Sequence, residues 1–534
     1  MHRFFRLAAG TAITSSLLAA PAVLAATPDD TLVMAWNIDA MSTLDPAQIG
    51  EVTTNEIILN TCDALVRHDM SDEANSLPAL AKSWEVSDDG LTVTFHLVDN
   101  AVFPSGNPMT AEDVAWSMQR VLKLGFGNSA TLTEYGFTAD TAEEQIVAAD
   151  DNTLLLNLDK PYPIEIILQA IASNRVAMAL DKKLLLENEE DGDLGNGYLT
   201  TTTACVGPYH VRQWNAGEAV VLEANDNYYG EPPKLKRWII RHVPEAGAQR
   251  LLLEQGDIDV ARNLGAEDLK DLESNPDIKL ESAKLHQMFY MAFNNAQERF
   301  ADDRVRLAFK YMIDYDGLAK TVMAYDGVPR NDVVPLGAYG ALDEKEGHPF
   351  YLDLDKAKEL LEEAGYGDGF EAKMNIGTQT YNAPVAQHIQ ENASKVGIKL
   401  DIEQMADAQL FSSFRGRDFD TLLIGWQTSV PHAHGMLSRH AFNPDNSEEA
   451  KLTMYPTWRA SWYRPEFNEK VEAALFETDK DKQLQMYREL QLDHMQHGPF
   501  AYMFQITNNA ALRKNVENWQ WHAFRTDYTG VTKD

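Results

Sequence analysis

Apolar and polar residues alternate and recur along this chain in two periods, and the two periods follow each other repeatedly. Leu91-Thr92-Val93-Thr94-Phe95-His96-Leu97 alternates faces, as a half-buried strand does. It runs into the turn-forming stretch Phe103-Pro104-Ser105-Gly106-Asn107-Pro108. Thr110 then stands as a helix N-cap with Asp113 three residues on, ahead of Val114, Ala115 and Met118. Asp303 to Met312 and Leu354 to Ala364 carry helical spacing, and the second stops at Gly365. Short apolar runs at Phe289–Phe293 and Thr421–Gly425 read as buried strands. Helices alternating with buried strands predict an α/β fold of sheets covered by helices. The 534 residues exceed what one hydrophobic core accommodates, so at least two domains are expected.

The chain opens differently. His2, Arg3 and Arg6 precede an apolar stretch from Leu7 to Leu24 that ends in the small residues Ala25-Ala26. That is the pattern of a secretory signal peptide over residues 1–25, cleaved on export. No cysteine stands at the cleavage point to take a lipid, and no later run is long and apolar enough to span a bilayer, so a soluble periplasmic protein is expected.

Composition narrows the partners. The formal net charge is −35, spread along the chain, which disfavours nucleic acid and anionic membrane surfaces as ligands. The two cysteines, Cys62 and Cys205, would meet an oxidising compartment and are read as a structural disulfide; the alternative is a pair of buried thiols. No GxSxG, HExxH or glycine-rich phosphate loop occurs, so an enzyme is not expected, and a secreted hydrolase is the weaker alternative. No cofactor is called for.

Several blocks occur in a fixed order: Leu44-Asp45-Pro46, Ala64-Leu65-Val66-Arg67, Leu80 to Phe95, Thr110 to Val114, Gly207-Pro208-Tyr209, Asn227-Tyr228-Tyr229-Gly230, Phe293-Asn294-Asn295, Asp303 to Ala308, Asp355 to Tyr366, Gly425-Trp426 and Arg513 to Val516. In this succession the chain resembles the family 5 extracellular solute-binding proteins of ABC importers, which include dipeptide, oligopeptide and nickel-chelate binders. The resemblance implies a two-lobed periplasmic binding protein fold of the class II type, with an extra subdomain inserted in the first lobe. Lobe I would comprise residues 27–285 plus 508–534, with the insertion at about 71–201, and lobe II residues 286–507. It also implies a solute held between the lobes and delivered to ABC permease subunits in the inner membrane by a monomeric receptor. Peptide or amino-acid-derived solutes are the expected class; a metal chelate or a saccharide is the alternative.

The same resemblance nominates the ligand-binding residues Gly425, Trp426, Gln427 and Ser429, with Tyr290, Glu51 and Val52. Peptide-binding relatives carry Asp three residues after the Trp, where it pairs with the peptide's ammonium group; here that position is Ser429. A hydroxyl cannot neutralise a buried ammonium. Either another carboxylate, with Glu51 a candidate, replaces it, or the solute lacks a free α-amino group. His432, His434 and His440 are weak metal candidates, since no carboxylate or cysteine completes the set, and a solvated loop is the expected setting. Tyr455, Trp458, Trp462 and Tyr463, with Arg459 and Arg464, either stack on a ring or clamp a carboxylate, or pack a loop onto its lobe.

Overall fold

The computed structural model describes residues 27–534 apart from Ser429, His522, Phe524 and Arg525, and the side chain of Glu73. The expected signal peptide, residues 1–25, and Ser429 therefore lie outside the described residues. No described helix is long and apolar enough to cross a membrane.

The principal sheet is mixed and has eleven strands. Its path runs Ile398–Gln404, Phe370–Ile376, Thr421–Gln427, Ile278–Phe293, Phe500–Arg513, Val260–Ala261, Thr31–Trp36, Arg237–His242, Ala219–Ala224 and Tyr209–Asn215, with Gly327–Pro329 paired beside Phe500–Arg513. Thr31–Trp36 is buried throughout and lies parallel to both neighbours, as a strand covered on both faces should be. On the far side, Phe370–Ile376 is parallel to both of its neighbours as well.

Two long antiparallel strands join these halves. Ile278–Phe293 and Phe500–Arg513 pair in register from Ile278↔Arg513 to Lys284↔Thr507, then slip before resuming at Met288↔Gln505. Gln505 occupies the irregularity: its amide donates to the carbonyls of Leu285 and Leu336 at 3.0 and 3.1 Å and accepts from Leu336 N at 2.9 Å. The expected lobe boundaries, 285/286 and 507/508, both fall inside these strands. Apolar clusters lie on either side of them, one around Leu32, Met34, Trp238 and Tyr528, another around Phe293, Phe300, Phe309 and Met374.

The region expected to be an insertion has its own antiparallel sheet, in the order Ala81–Val86, Thr92–Leu97, Thr153–Asn157, Ile146–Asp150. Thr92–Leu97 alternates half-buried and buried positions, as its sequence predicts. Helix Ala111–Leu124 packs against it, and Thr110 N donates to the Asp113 carboxylate at 2.9 Å to close the predicted capping box. Asp45, in the first of the family-like blocks, fixes this region to the rest. Its carboxylate takes two hydrogen bonds from Arg120 at 2.9 and 2.6 Å, and both side chains are fully buried. Cys62 and Cys205 form a disulfide with their Cα atoms 4.9 Å apart. Beside it, Gly207 packs so closely on the Thr61 carbonyl that a Cβ has no room.

Residues near the two termini of the described chain interlock. Lys533 Nζ, nearly fully buried, lies 3.1 Å from Asp259 and donates to the carbonyl of Thr27 at 2.9 Å. Asp259 also accepts from Val33 N at 2.8 Å.

Candidate functional site

A cavity of about 920 Å³ opens between the two halves of the molecule. One wall comes from the loop after the first strand, the helix Val52–Leu59 and the inserted region. The other is built from Leu285, Gln287, Gln427, Thr428 and Arg439. The crossing strands contribute Asn508 and Asn509. Nine of the lining side chains are carboxamides, each able to donate and accept hydrogen bonds.

Charges in the cavity are mostly committed. Arg262 is sandwiched between Trp36 and Trp521, its guanidinium carbon 4.1 and 4.5 Å from the two ring centres. Glu56 neutralises it with contacts of 2.7 and 3.0 Å and also accepts from the Tyr528 hydroxyl at 2.7 Å. Across the cavity, Arg439 meets Glu134 at 3.1 Å. Arg175 differs, because its guanidinium donates to neutral acceptors: Asn55 Oδ1 at 2.7 Å, Asn128 Oδ1 at 2.9 Å and the Ile49 carbonyl at 3.2 Å. Its Nε is buried with no partner among the described residues. Burial pulls this guanidinium down to about 10, and the charge of Glu51 opposes the shift. Glu51 itself accepts from Ser42 Oγ at 3.1 Å and from Gly50 N at 3.3 Å.

Of the sequence-nominated residues, Glu51, Val52 and Gln427 line this cavity, and Val52 is 59% exposed there. Gly425, Trp426 and Tyr290 do not. The reason is strand geometry. Tyr290 pairs with Ile424 in the middle of the sheet and points to its buried face, where it is fully enclosed. Trp426 points to the same face, half-buried, with His440 edge-on at 5.3 Å and the Arg459 guanidinium at 5.4 Å.

The histidines do not sit in a solvated loop. His432 caps the helix Ala433–His440, its Nδ1 accepting from His434 N at 3.0 Å, and both His432 and His440 are buried. Val430, Ala433, Met436 and Leu437 make this segment apolar enough to be drawn inside. His432 stacks on Tyr339 at 4.7 Å, whereas His440 faces Tyr290 and Trp426. Among the described residues no group of three or more His, Cys, Asp or Glu is placed to hold a metal ion. Trp458 and Trp462 are buried and pack their segment, which for those two rings favours the packing reading.

Arg175, Arg262, Glu134 and Arg439 have no motif around them and are brought together only by tertiary structure. The aromatic pair Trp36 and Trp521 is separated by most of the chain. The pattern of local residues carries no signal for either.

The model of "Bacterial extracellular solute-binding proteins, family 5 Middle" matches residues 76–448. The chain belongs to this family. As a family 5 solute-binding protein it is 26% identical over 508 residues to "Probable D,D-dipeptide-binding periplasmic protein DdpA" of Escherichia coli, covering 93% of each chain. It is likewise 26% identical to "Heme-binding protein A" of Haemophilus influenzae, over 86% of this chain and 84% of that one. Among solved structures, HbpA2 from Haemophilus parasuis superposes with a TM-score of 0.80 at 21% identity, covering 94% of this solute-binding protein and all of the other. DppA from Helicobacter pylori in complex with peptide STSA gives 0.71 at 21% identity, over 94% and 98% of the two chains. These likenesses place the fold among two-lobed periplasmic binding proteins.

Proposed function

We propose that this protein is the periplasmic receptor of an ABC importer, exported by the leader at residues 1–25. It captures a peptide or amino-acid-derived solute in the cleft and presents it, as a monomer, to the permease. The observation that carries this is the cavity itself. It takes walls from both sides of the crossing strands, and its volume suits a small organic solute. The interruption of those strands between Lys284 and Met288 supplies a place for the lobes, divided at 285/286 and 507/508, to swing.

The carboxamide lining supports a solute rich in peptide groups, because each amide can pair with a main-chain N–H or C=O without regard to side chain. Among the described lining residues, Glu51 and Arg175 make no close ion pair with each other or with another side chain, and they suit the cationic and anionic ends of an amino-acid-derived molecule. The relatives named for dipeptides agree with this class. A saccharide is the second reading, because the same carboxamides also match hydroxyls.

Calorimetry with a free dipeptide, its N-acetylated form and a disaccharide tests the reading. Free dipeptide binding that weakens in Glu51→Gln assigns the ammonium to Glu51. Preference for the acetylated form assigns recognition to a solute without an α-amino group, as expected from Ser429. Disaccharide binding alone moves the solute to the second class. A protein stabilised by none of a broad solute library is not the receptor described.

A further inference from the structure

The charges that line the cleft are shared unevenly between its walls. Among the described lining residues, the second-lobe wall of Leu285, Gln287, Gln427, Thr428 and Arg439 holds no carboxylate. The facing wall holds Asp39, Glu51, Glu56 and Glu134. Glu56 is committed to Arg262 and Glu134 to Arg439. Asp39, Glu51 and Arg175 are left without a close partner of fixed opposite charge among the described residues, so acids outnumber cations there.

Asp39 stands on a loop fastened at both ends to the start of the helix Val52–Leu59. At one end Thr53 Oγ1 donates to the Asn37 carbonyl at 3.4 Å, and at the other Ser42 Oγ donates to Glu51 at 3.1 Å. The Asn37 side chain accepts from Asp39 N at 2.9 Å, which fixes the turn between them. The Asp39 carboxylate is 65% exposed and lies 3.3 Å from His242 Nε2. His242 Nδ1 accepts from Ile38 N at 3.3 Å, so the neutral ring carries its proton on Nε2 and offers it to Asp39. That bond orients the carboxylate and leaves its negative charge in place. The same wall has room for a ligand group: a Cβ placed on Gly50, beside Glu51, meets nothing within 4 Å.

A zwitterionic solute that engages Glu51 and Arg175 leaves Asp39 over. Covering a carboxylate with a neutral group strips its water without replacement, whereas a cationic group supplies a charge-assisted hydrogen bond instead. The −35 charge of the chain also favours the approach of a cationic solute. We propose that the captured solute carries one more cationic group than anionic groups, as a basic peptide or amino-acid derivative does, and that the extra ammonium or guanidinium seats at Asp39. This rests on the receptor reading above and narrows the solute it describes.

Calorimetry of Ala-Lys against Ala-norleucine, which keeps the side-chain stem and lacks the ammonium, tests the seat. The wild type should bind Ala-Lys about fivefold more tightly, an advantage that shrinks as salt rises. Asp39→Asn should remove that advantage. Glu469→Gln, an equal change of charge at an exposed position of the helix Pro465–Leu475, should keep it. Equal affinities in the wild type, an advantage that survives Asp39→Asn, or one lost equally in Glu469→Gln overturns the proposal. If neither peptide binds, the peptide class of the receptor reading fails, and melting temperatures with cadaverine and pentanediol at constant ionic strength still decide the seat. A saturable rise with the diamine alone, reduced in Asp39→Asn and kept in Glu469→Gln, supports it; no rise, or the same rise in all three proteins, overturns it.

Discussion

Arg439 and Glu134 face each other at 3.1 Å across the cleft, one from the second lobe and the other from the inserted region of the first. Their pairing bridges the cleft. Outside the cleft, Lys480 meets Glu165 at 2.5 Å and the rings of Tyr162 and Phe476 lie 5.7 Å apart across the same divide. A partly exposed ion pair contributes about 0.5 kcal/mol and is screened by salt. Glu134→Gln should therefore shift the unliganded protein towards the open form and weaken solute binding about twofold. Small-angle scattering at low and high salt measures the shift, and a radius of gyration unchanged by the substitution and by salt refutes it.

Asp45 is fully buried against Arg120 and also accepts from Asn196 at 2.7 Å. Asp45→Asn removes the charge and leaves the guanidinium enclosed without a counter-ion, which costs about 3–5 kcal/mol. Denaturant melts should show that loss, with the inserted region separating first.

The disulfide joins residues 143 positions apart. In the chain-entropy account a loop of that length contributes up to about 4–5 kcal/mol. Cys62→Ser with Cys205→Ser should lower the unfolding midpoint accordingly, and denatured but unreduced wild-type protein should release no thiol on titration. Gly207→Ala, next to Val206 and the bridge, should also destabilise, because its Cβ would strike the Thr61 carbonyl.

Burial holds His432 down to about 3, His494 to about 3 and His434 to about 4, and pushes His440 well below its ordinary value. In the unfolded chain these rings take up protons near pH 6.5. Their contribution is thus fully present above pH 6.5 and is lost as pH falls towards 3–4. Each ring contributes a slope of up to about 1.4 kcal/mol per pH unit within that window. Asp332 opposes them, since burial raises it to about 6 and its contribution grows as pH falls below that. Burial also lowers His210, His348 and His388 and raises Asp113 and Asp326, so the rings outnumber the raised carboxyls and should leave a net loss of stability between pH 6.5 and 4. Guanidinium melts across this range measure it. His432→Asn, which keeps an acceptor at the helix N-cap, should flatten the slope.

Legibility followed distance along the chain. The capping box at Thr110 and Asp113, the strand Thr92–Leu97 and the helix beginning at Asp303 all depend on residues a few positions apart, and they appear where the pattern puts them. Glu51, Val52 and Gln427, nominated by the family resemblance, line the cavity. Trp426 and Tyr290 show the limit: a residue's presence in a cleft-forming segment does not fix which face of the strand carries its side chain. The histidines were misread for a related reason, since a polar-looking stretch was drawn inward by Val430, Met436 and Leu437. Arg175 and Arg439 had no local signal, because their neighbours in the cleft arrive from remote parts of the chain.

The lock between Lys533, Asp259 and Thr27 sets an order of events during folding. The sheet around Thr31–Trp36 is finished only when Lys533, near the end of the sequence, has returned to it, although most of that side of the molecule comes first. Until then its central strands lack their closing partner, and the second lobe is made before the first is sealed. Contacts this remote in sequence make folding slow. The receptor therefore reaches its working shape only after its last residues are in place, and a chain shortened by those few residues would lose the lock that joins its two ends.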